Sequence, residues 1–395
     1  MTAACVYTMP SRVSEIMTVV AQCVFDLSRA GAQQIVYHLA SLRDRRHFSM
    51  VIYAFEDGPL SQILRDGGET VRIVRQFLPY FDPTLSARLA ASFRREQIDI
   101  VHTHLFGADL HASIAARRLM NLPVVTTIHS DCHDNWRQRL VAGSLLRSVQ
   151  RIVAVGRRVS DYVASGWPEL ASKLTIIPNG VQDLSNASAL RASGRSLLGL
   201  NGADVVIGTV GRLNHEKAHS DLLLAFRAVA DRQPNAKLII LGEGPLRARL
   251  ESLRSSLGLD ERVDMPGNLA NASHLIPAFD LFVLSSLWEG LPMALLEAMV
   301  AGLPCLCTNV GSVPEVIGEL ETGRLVPPGE PGALARVLLD LIEKPEQRMA
   351  LGRAARRLVL EDYSAPAMVA SYQNLYLETL SSSAAARHAL SSQRG

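Results

Sequence analysis

The chain has 395 residues, enough for two cores, since a single hydrophobic core stops growing at roughly 250–300 residues. With 48% hydrophobic residues, 20% charged residues and a formal net charge of +2, it has a globular balance and no global field that would draw it to nucleic acid. No stretch reaches the ~18 apolar residues of a membrane span, and the first residues, with Arg12 their only basic group, are not expected to act as a signal peptide.

The five cysteines are scattered without a CxxC pair, so reduced thiols and a cytoplasmic location are expected. Cys132 lies near His129 and His133, but no second ligand pair stands at metal spacing. These read as loop residues and no metal is expected. Asn186-Ala-Ser and Asn271-Ala-Ser match glycosylation acceptors, which read as chance without secretion.

In chain order, short apolar runs predict buried parallel strands at 18–25, 50–55, 71–74, 98–101, 124–128, 152–155 and 174–177. Helix-like spacing lies between them, at 32–42, 85–95 and 108–119. Residues 185–202, rich in Ser, Asn, Ala and Gly, read as a linker with a short helix. Alternation then resumes: strand 205–210, helix 220–232 stopped by Pro234, and strand 237–241. A helix at 245–257 has Pro245 first and Gly258 after it. Strand 281–284, helix 292–301 with Pro292 first and Gly302 last, and strand 304–308 follow. The fold class is therefore α/β, with two doubly wound domains at 1–184 and 185–362 and a cleft between them. Residues 381–395 are small and polar and are expected to be disordered.

In open α/β sheets, ligands bind beyond the carboxyl ends of strands, so the turns there carry the chemistry. Gly211 follows a strand, and Arg212 and Lys217 flank the loop after it. A planar guanidinium and a compact ammonium suit a diphosphate clamp; a solvated basic loop is the alternative. Gly242-Glu-Gly begins like a dinucleotide fingerprint, but Arg247 stands where the third glycine belongs, so a tight turn is the plainer reading.

The run Trp288-Glu289-Gly290-Leu291-Pro292 ends a buried strand and starts a helix. The Gly290 and Leu291 amides lie near that helix N-terminus, where an anion binds readily. Glu289 sits in the loop, and Glu297 stands five residues past Pro292, about 7.5 Å along the axis. Two carboxylates so placed can accept hydrogen bonds from different hydroxyls of one ligand, and an acid among Ala294, Leu295, Leu296, Ala298 and Met299 is seldom idle. Gly311 through Glu315 forms another post-strand turn, either closing the pocket through its amides or purely structural. In the first half, Gly31 opens a helix after the first strand and suits close phosphate approach. His102, His104 and His129 follow later strands, and His129, directly after 124–128, is the strongest functional candidate of the three.

As a set these residues resemble retaining glycosyltransferases of the GT-B fold, family 4. The resemblance spans roughly residues 17–377. It rests on Glu289 and Glu297 with seven residues between them, Gly211-Arg-Leu with Lys217, Gly242-Glu-Gly-Pro-Leu, Gly311-Ser-Val-Pro-Glu and Gly323-Arg-Leu-Val-Pro-Pro-Gly. It implies a nucleotide-sugar donor, with Arg212 and Lys217 on its diphosphate in place of a metal, and therefore no cofactor. Glu297 would bind the ribose, and Glu289 with the Gly290 and Leu291 amides the sugar hydroxyls. Gly31 would lie near the diphosphate and His129 near the sugar. The departing phosphate itself would take the acceptor proton on the attacking face. The acceptor would be a glycan or lipid-linked hydroxyl, and residues 363–380 would form a helix crossing back to the first domain.

Three positions depart from the family pattern: Ala30-Gly31-Ala32-Gln33 after the first strand, Ala218 in place of a glycine after the lysine, and Gln182 in place of an aspartate. Arg43, Arg45, Arg46 and His47 form a basic cluster that suits either solvent or an anionic membrane surface. Two other functions fit the same residues: a non-catalytic nucleotide-sugar-binding subunit, and a nucleotide-sugar epimerase that needs no acceptor.

Overall fold

A computed structural model describes residues 17–28, 30–78, 82–104, 106–130, 136–269 and 272–392. Cys132, His133 and Asn271 lie outside them.

The first half builds seven strands: β1 (Thr18–Val24), β2 (Phe48–Ala54), β3 (Thr70–Ile73), β4 (Ile100–His104), β5 (Val124–Ile128), β6 (Arg151–Ala154) and β7 (Leu174–Ile176). They form one parallel sheet in the order β3-β2-β1-β4-β5-β6-β7. The second half builds β8 (Val205–Val210), β9 (Ala236–Leu241), β10 (Val263–Gly267), β11 (Leu281–Leu284), β12 (Cys305–Thr308) and β13 (Gly323–Val326). Their order, β10-β9-β8-β11-β12-β13, repeats the winding of the first sheet. Helices cover both faces of such sheets, which is why β1, β8 and β11 are largely apolar runs with almost every residue buried, and why β4, although it carries two histidines and a threonine, is buried throughout. In each sheet the strand order reverses beside the first strand, between β1 and β4 and between β8 and β11. Those are the switch points where a crevice opens.

Several elements differ from the sequence reading. The strand expected at 98–101 runs to His104, so His102 and His104 lie inside β4, fully buried, rather than after it. Imidazoles belong there because neighbours satisfy both of their ring nitrogens. The helix expected from Pro245 begins at Arg247. Gly242 and Gly244 instead press against the backbone of Gly211 and Leu213, and the turn is spent on that packing. The helix expected at 108–119 is Phe106–Ser113 followed by a π-helical segment, Ile114–Met120.

The residues expected to be disordered from 381 onward continue the final helix, Ala365–Ser392, as far as it is described. Their alanines favour helix. This helix packs on the helix Gly31–Leu42 and buries Tyr372 and Tyr376 completely. It leaves the second half where Val181 bridges Ser364, a crossing sealed by Val181 N to Tyr363 O at 2.9 Å and Ala365 N to Val181 O at 2.9 Å. Within the described residues, no helix is long and apolar enough to cross a membrane.

Candidate active site

The four post-strand turns converge between the two sheets. From the second half, Gly290 presses its α-carbon on the carbonyl of His129 so closely that a Cβ there would stand 1.7 Å from that oxygen. Gly31 meets the side chain of Met293, with its Cβ position 3.5 Å from Met293 Cγ. Gly31 and His129 of the first half therefore face the Glu289–Glu297 segment of the second.

The loop after β8 carries Arg212 exposed and Lys217 half-buried. The Gly242-Glu-Gly turn braces it: Leu213 N donates to Glu243 O at 2.9 Å and Leu246 N to Leu213 O at 2.9 Å. The fingerprint-like glycines thus hold the cationic loop. Among the described residues no carboxylate pairs with Arg212. Lys217 Nζ lies 2.6 Å from Glu289 Oε1 and 3.0 Å from Glu216 Oε1. Burial pulls its pKa down, but the carboxylates of Glu289 and Glu216 outweigh burial and leave the net shift upward. An ammonium has three donors, and two carboxylates leave one for a further anion.

Glu289 is 5% exposed, and its Oε1 also accepts from Ser286 Oγ at 2.7 Å. Two more bonds lash the loops together: Ser285 Oγ donates to Lys217 O at 2.8 Å and Leu287 N to Glu216 O at 2.7 Å. After Glu289, Gly311 (φ +51°) approaches so closely that a Cβ would stand 2.0 Å from Glu289 O. Ser312 N donates to Gly290 O at 2.8 Å. The Leu291 carbonyl accepts from Asn179 Nδ2 at 2.6 Å. Among the described residues the Gly290 and Leu291 amides donate to nothing, and they stand just before the helix Met293–Val300. That is a ready site for a hydroxyl or anionic oxygen.

Glu297 lies on this helix, half-buried and without a cationic partner among the described residues, and burial pushes its pKa up to about 7. It is therefore poised to gain a hydrogen-bonding ligand. His129 is half-buried; its Nε2 lies 3.2 Å from His104 Nδ1, and burial pushes it down to about 4, so it is neutral near pH 7.

Some site features leave no trace in the sequence pattern. Glu216 carries no motif signal, and the stack of His215 on Trp288 (centroids 5.8 Å, planes at 27°) joins residues far apart in sequence. Glu315 reads only as part of a turn, yet its carboxylate crosses to the first half. It accepts from Arg157 N at 2.9 Å and Arg158 N at 3.1 Å, capping the helix Arg157–Gly166. The basic cluster is partly paired locally: Arg43 and Arg45 share Glu69, and Arg46 and His47 share Asp44, so three guanidinium charges meet two carboxylates. Among the described residues no group of His, Cys, Asp and Glu side chains is arranged to hold a metal ion.

Comparison with known proteins identifies the family and the fold. The model for Glycosyl transferases group 1 matches residues 195–358, and that for Glycosyltransferase Family 4 matches residues 29–183. The 2-deoxystreptamine N-acetyl-D-glucosaminyltransferase of Streptomyces fradiae is 30% identical over 291 residues, 68% of this chain and 68% of that one. The chain belongs to the family 4 glycosyltransferases. This transferase is also 28% identical over 306 residues to the UDP-Gal:alpha-D-GlcNAc-diphosphoundecaprenol alpha-1,3-galactosyltransferase of Escherichia coli, across 71% of this chain and 76% of that one. Its fold is that of Anabaena HepE, whose crystal structure contains UDP-glucose: TM-score 0.81 at 22% identity, covering 93% of this chain and all of the other. It is a GT-B glycosyltransferase of the group 1 type, acting on nucleotide sugars.

Proposed function

We propose that this transferase moves a hexose-type sugar from a nucleoside diphosphate to the hydroxyl of a glycan or lipid-linked acceptor, with retention at the anomeric carbon and without a metal. The observation that carries the reading is the arrangement around Glu289. A cationic loop, two free amides and two carboxylates meet at one cleft wall, opposite His129. Arg212 and the third donor of Lys217 take the diphosphate. Glu297 accepts from the ribose hydroxyls, while Glu289 and the Gly290 and Leu291 amides hold the sugar.

The chemistry then needs no protein nucleophile. The bond from the anomeric carbon to the diphosphate oxygen breaks, and the negative charge that develops there lies against Arg212 and Lys217. Preorganised charge of this kind commonly contributes more to the rate than any other single effect. The acceptor oxygen attacks from the face the phosphate leaves, and its proton passes to the departing phosphate oxygen.

A UDP-linked donor is favoured because the Escherichia coli relative is named for UDP-Gal and the HepE structure contains UDP-glucose. Their acceptors include a lipid-diphosphate-linked sugar and an aminocyclitol, which share only an alcohol. The acceptor hydroxyl is therefore the one chemical requirement the proposal places on that substrate. Proton NMR of the first-formed product tests retention: an α-linked donor must give an α-linked product with chelator present. A β product, or turnover that collapses with chelator, would overturn the mechanism.

A further inference from the structure

Behind His129 a row of buried polar side chains runs through the first sheet to the final helix. His129 Nε2 meets His104 Nδ1 at 3.2 Å, and His104 Nε2 meets Gln22 Oε1 at 3.0 Å. Gln22 Nε2 donates to the Tyr376 hydroxyl at 3.0 Å, and that hydroxyl meets His102 Nδ1 at 2.7 Å. His102 Nε2 meets Thr127 Oγ1 at 2.7 Å, which in turn lies 3.1 Å from the Tyr372 hydroxyl. Gln22, His102, His104, Tyr372 and Tyr376 are all 0% exposed.

Strand register explains how they meet. Gln22 stands opposite His102 in the β1–β4 pair, and His104 opposite Thr127 in the β4–β5 pair. Alternation puts all four on the face covered by the final helix, where Tyr372 and Tyr376 are one turn apart. Apolar residues would fill this space at less cost, so a fully hydrogen-bonded polar row specifies an arrangement.

What it specifies is a direction. A neutral imidazole donates through one nitrogen and accepts through the other, so each ring passes the polarity on. Burial keeps the rings neutral: His102 and His104 are pushed well below the usual histidine range. Two polarities of the row are then self-consistent, and Gln22 chooses between them. Its Nε2 also lies 3.9 Å from Met50 Sδ, which can accept but has no proton to give. The amide nitrogen therefore faces Met50 and Tyr376, and the amide oxygen faces His104. His104 carries its proton on Nε2, so its Nδ1 accepts from His129. Among the described residues His129 Nδ1 has no partner.

We propose that Gln22, His104 and Tyr376 are positioning residues that hold His129 in the Nε2–H tautomer, leaving Nδ1 as the acceptor for a hydroxyl of the bound donor sugar. The sugar contact rests on the donor reading above; the tautomer does not. The final helix is then part of the donor site, because Tyr376 lies 354 residues from the Gln22 it orients.

The test is two-bond proton–nitrogen correlation on the full chain labelled with nitrogen-15 histidine, at pH 7.5. The His129 signals are identified by their loss in His129→Gln. Wild type should show one tautomer, protonated on Nε2. Tyr376→Phe and Gln22→Leu should show His129 averaging between tautomers. Their kcat should fall about tenfold, as when a partner that fixes a histidine is removed, with donor KM within about twofold. An Nδ1-protonated His129 in wild type would overturn the proposal, as would an unchanged tautomer in both folded variants. If neither variant folds, the wild-type spectrum alone decides. The expected tautomer in a protein that transfers no sugar would refute the donor reading and leave the relay standing; sugar transfer with the opposite tautomer would refute the relay alone.

Discussion

Lys217 Nζ stands 2.6 Å from Glu289 Oε1, so the cation assigned to the donor phosphates and the carboxylate assigned to its sugar are bonded to each other before any donor arrives. The pair holds both groups in place and leaves Lys217 a donor to spare. Breaking it should be costly, because Glu289 would remain buried without its cation. Lys217→Met is expected to lose about 3 kcal/mol of stability and on the order of 10² to 10³ in kcat. Adding Glu289→Gln should restore most of the stability and none of the activity. Urea denaturation and initial rates on the same preparations check both halves.

If Glu297 binds the donor ribose as proposed, it makes stability and donor binding respond to pH in opposite senses. Its folded pKa of about 7 lies above the ordinary 4.5, so the fold favours the protonated form. The stability it contributes is complete below about 4.5 and is lost as pH rises through about 7. Glu297→Gln should therefore melt higher than wild type at pH 8 and close to it at pH 5. The ribose contact needs the carboxylate, so wild-type donor affinity should rise through pH 7. The glutamine variant should bind donor about tenfold more weakly at pH 8, without that pH dependence. A melting difference that is the same at both pH values would contradict the assignment.

Ala218 adopts φ +44° and ψ +42° at the start of the helix His219–Arg232. That left-handed conformation strains any residue with a Cβ, which gives a physical reason for the glycine common at this position in the family pattern. Ala218→Gly is expected to gain up to about 1 kcal/mol, read as a rise in melting temperature. A fall would show that the lost methyl contact outweighs the relieved strain.

Two cross-cleft contacts should respond differently to mutation. Gly290→Ala would drive a Cβ into His129 O, so it should abolish transfer while far-ultraviolet circular dichroism stays that of wild type. Glu315→Ala removes the cap from the helix Arg157–Gly166, at about 1 kcal/mol. Because that cap joins the two halves, the donor-free variant should show a larger radius of gyration by X-ray scattering, reduced again by donor. An unchanged radius would mean the cap does not hold the cleft.

Most of the parallel strands were legible because burial on both faces leaves largely apolar runs, as in Val205–Val210 and Leu281–Leu284; Val263–Gly267 and Gly323–Val326 were not, because these short strands at the two edges of the second sheet carry Asp264, Pro266 and Arg324. The turns after them were legible because Arg, Lys and Glu recur there beside glycines that allow close backbone approach. What stayed hidden was relational. Pro245 reads as a helix start until Gly242 and Gly244 are seen packed on the Arg212 loop. His102 and His104 read as ordinary histidines because the tyrosine that organises them lies on the last helix. Glu315 looks like a turn residue because the helix it caps lies 157 and 158 residues away in the chain. The tail beyond 380 reads as disordered because local polarity does not reveal that the helix before it is anchored by Tyr372 and Tyr376.

Glu297 and the Glu289–Lys217 pair are proposed to form a metal-independent nucleotide-sugar site. The most direct test is a thermal-shift screen of UDP-, GDP- and ADP-linked hexoses, with and without chelator, on wild type and Glu297→Ala. At about 100 times its dissociation constant a true donor adds about 2.7 kcal/mol of stability. One class of hit is predicted, a UDP-hexose, unaffected by chelator and lost in Glu297→Ala. Stabilisation that disappears with chelator, or survives unchanged in Glu297→Ala, would contradict the metal-independent site.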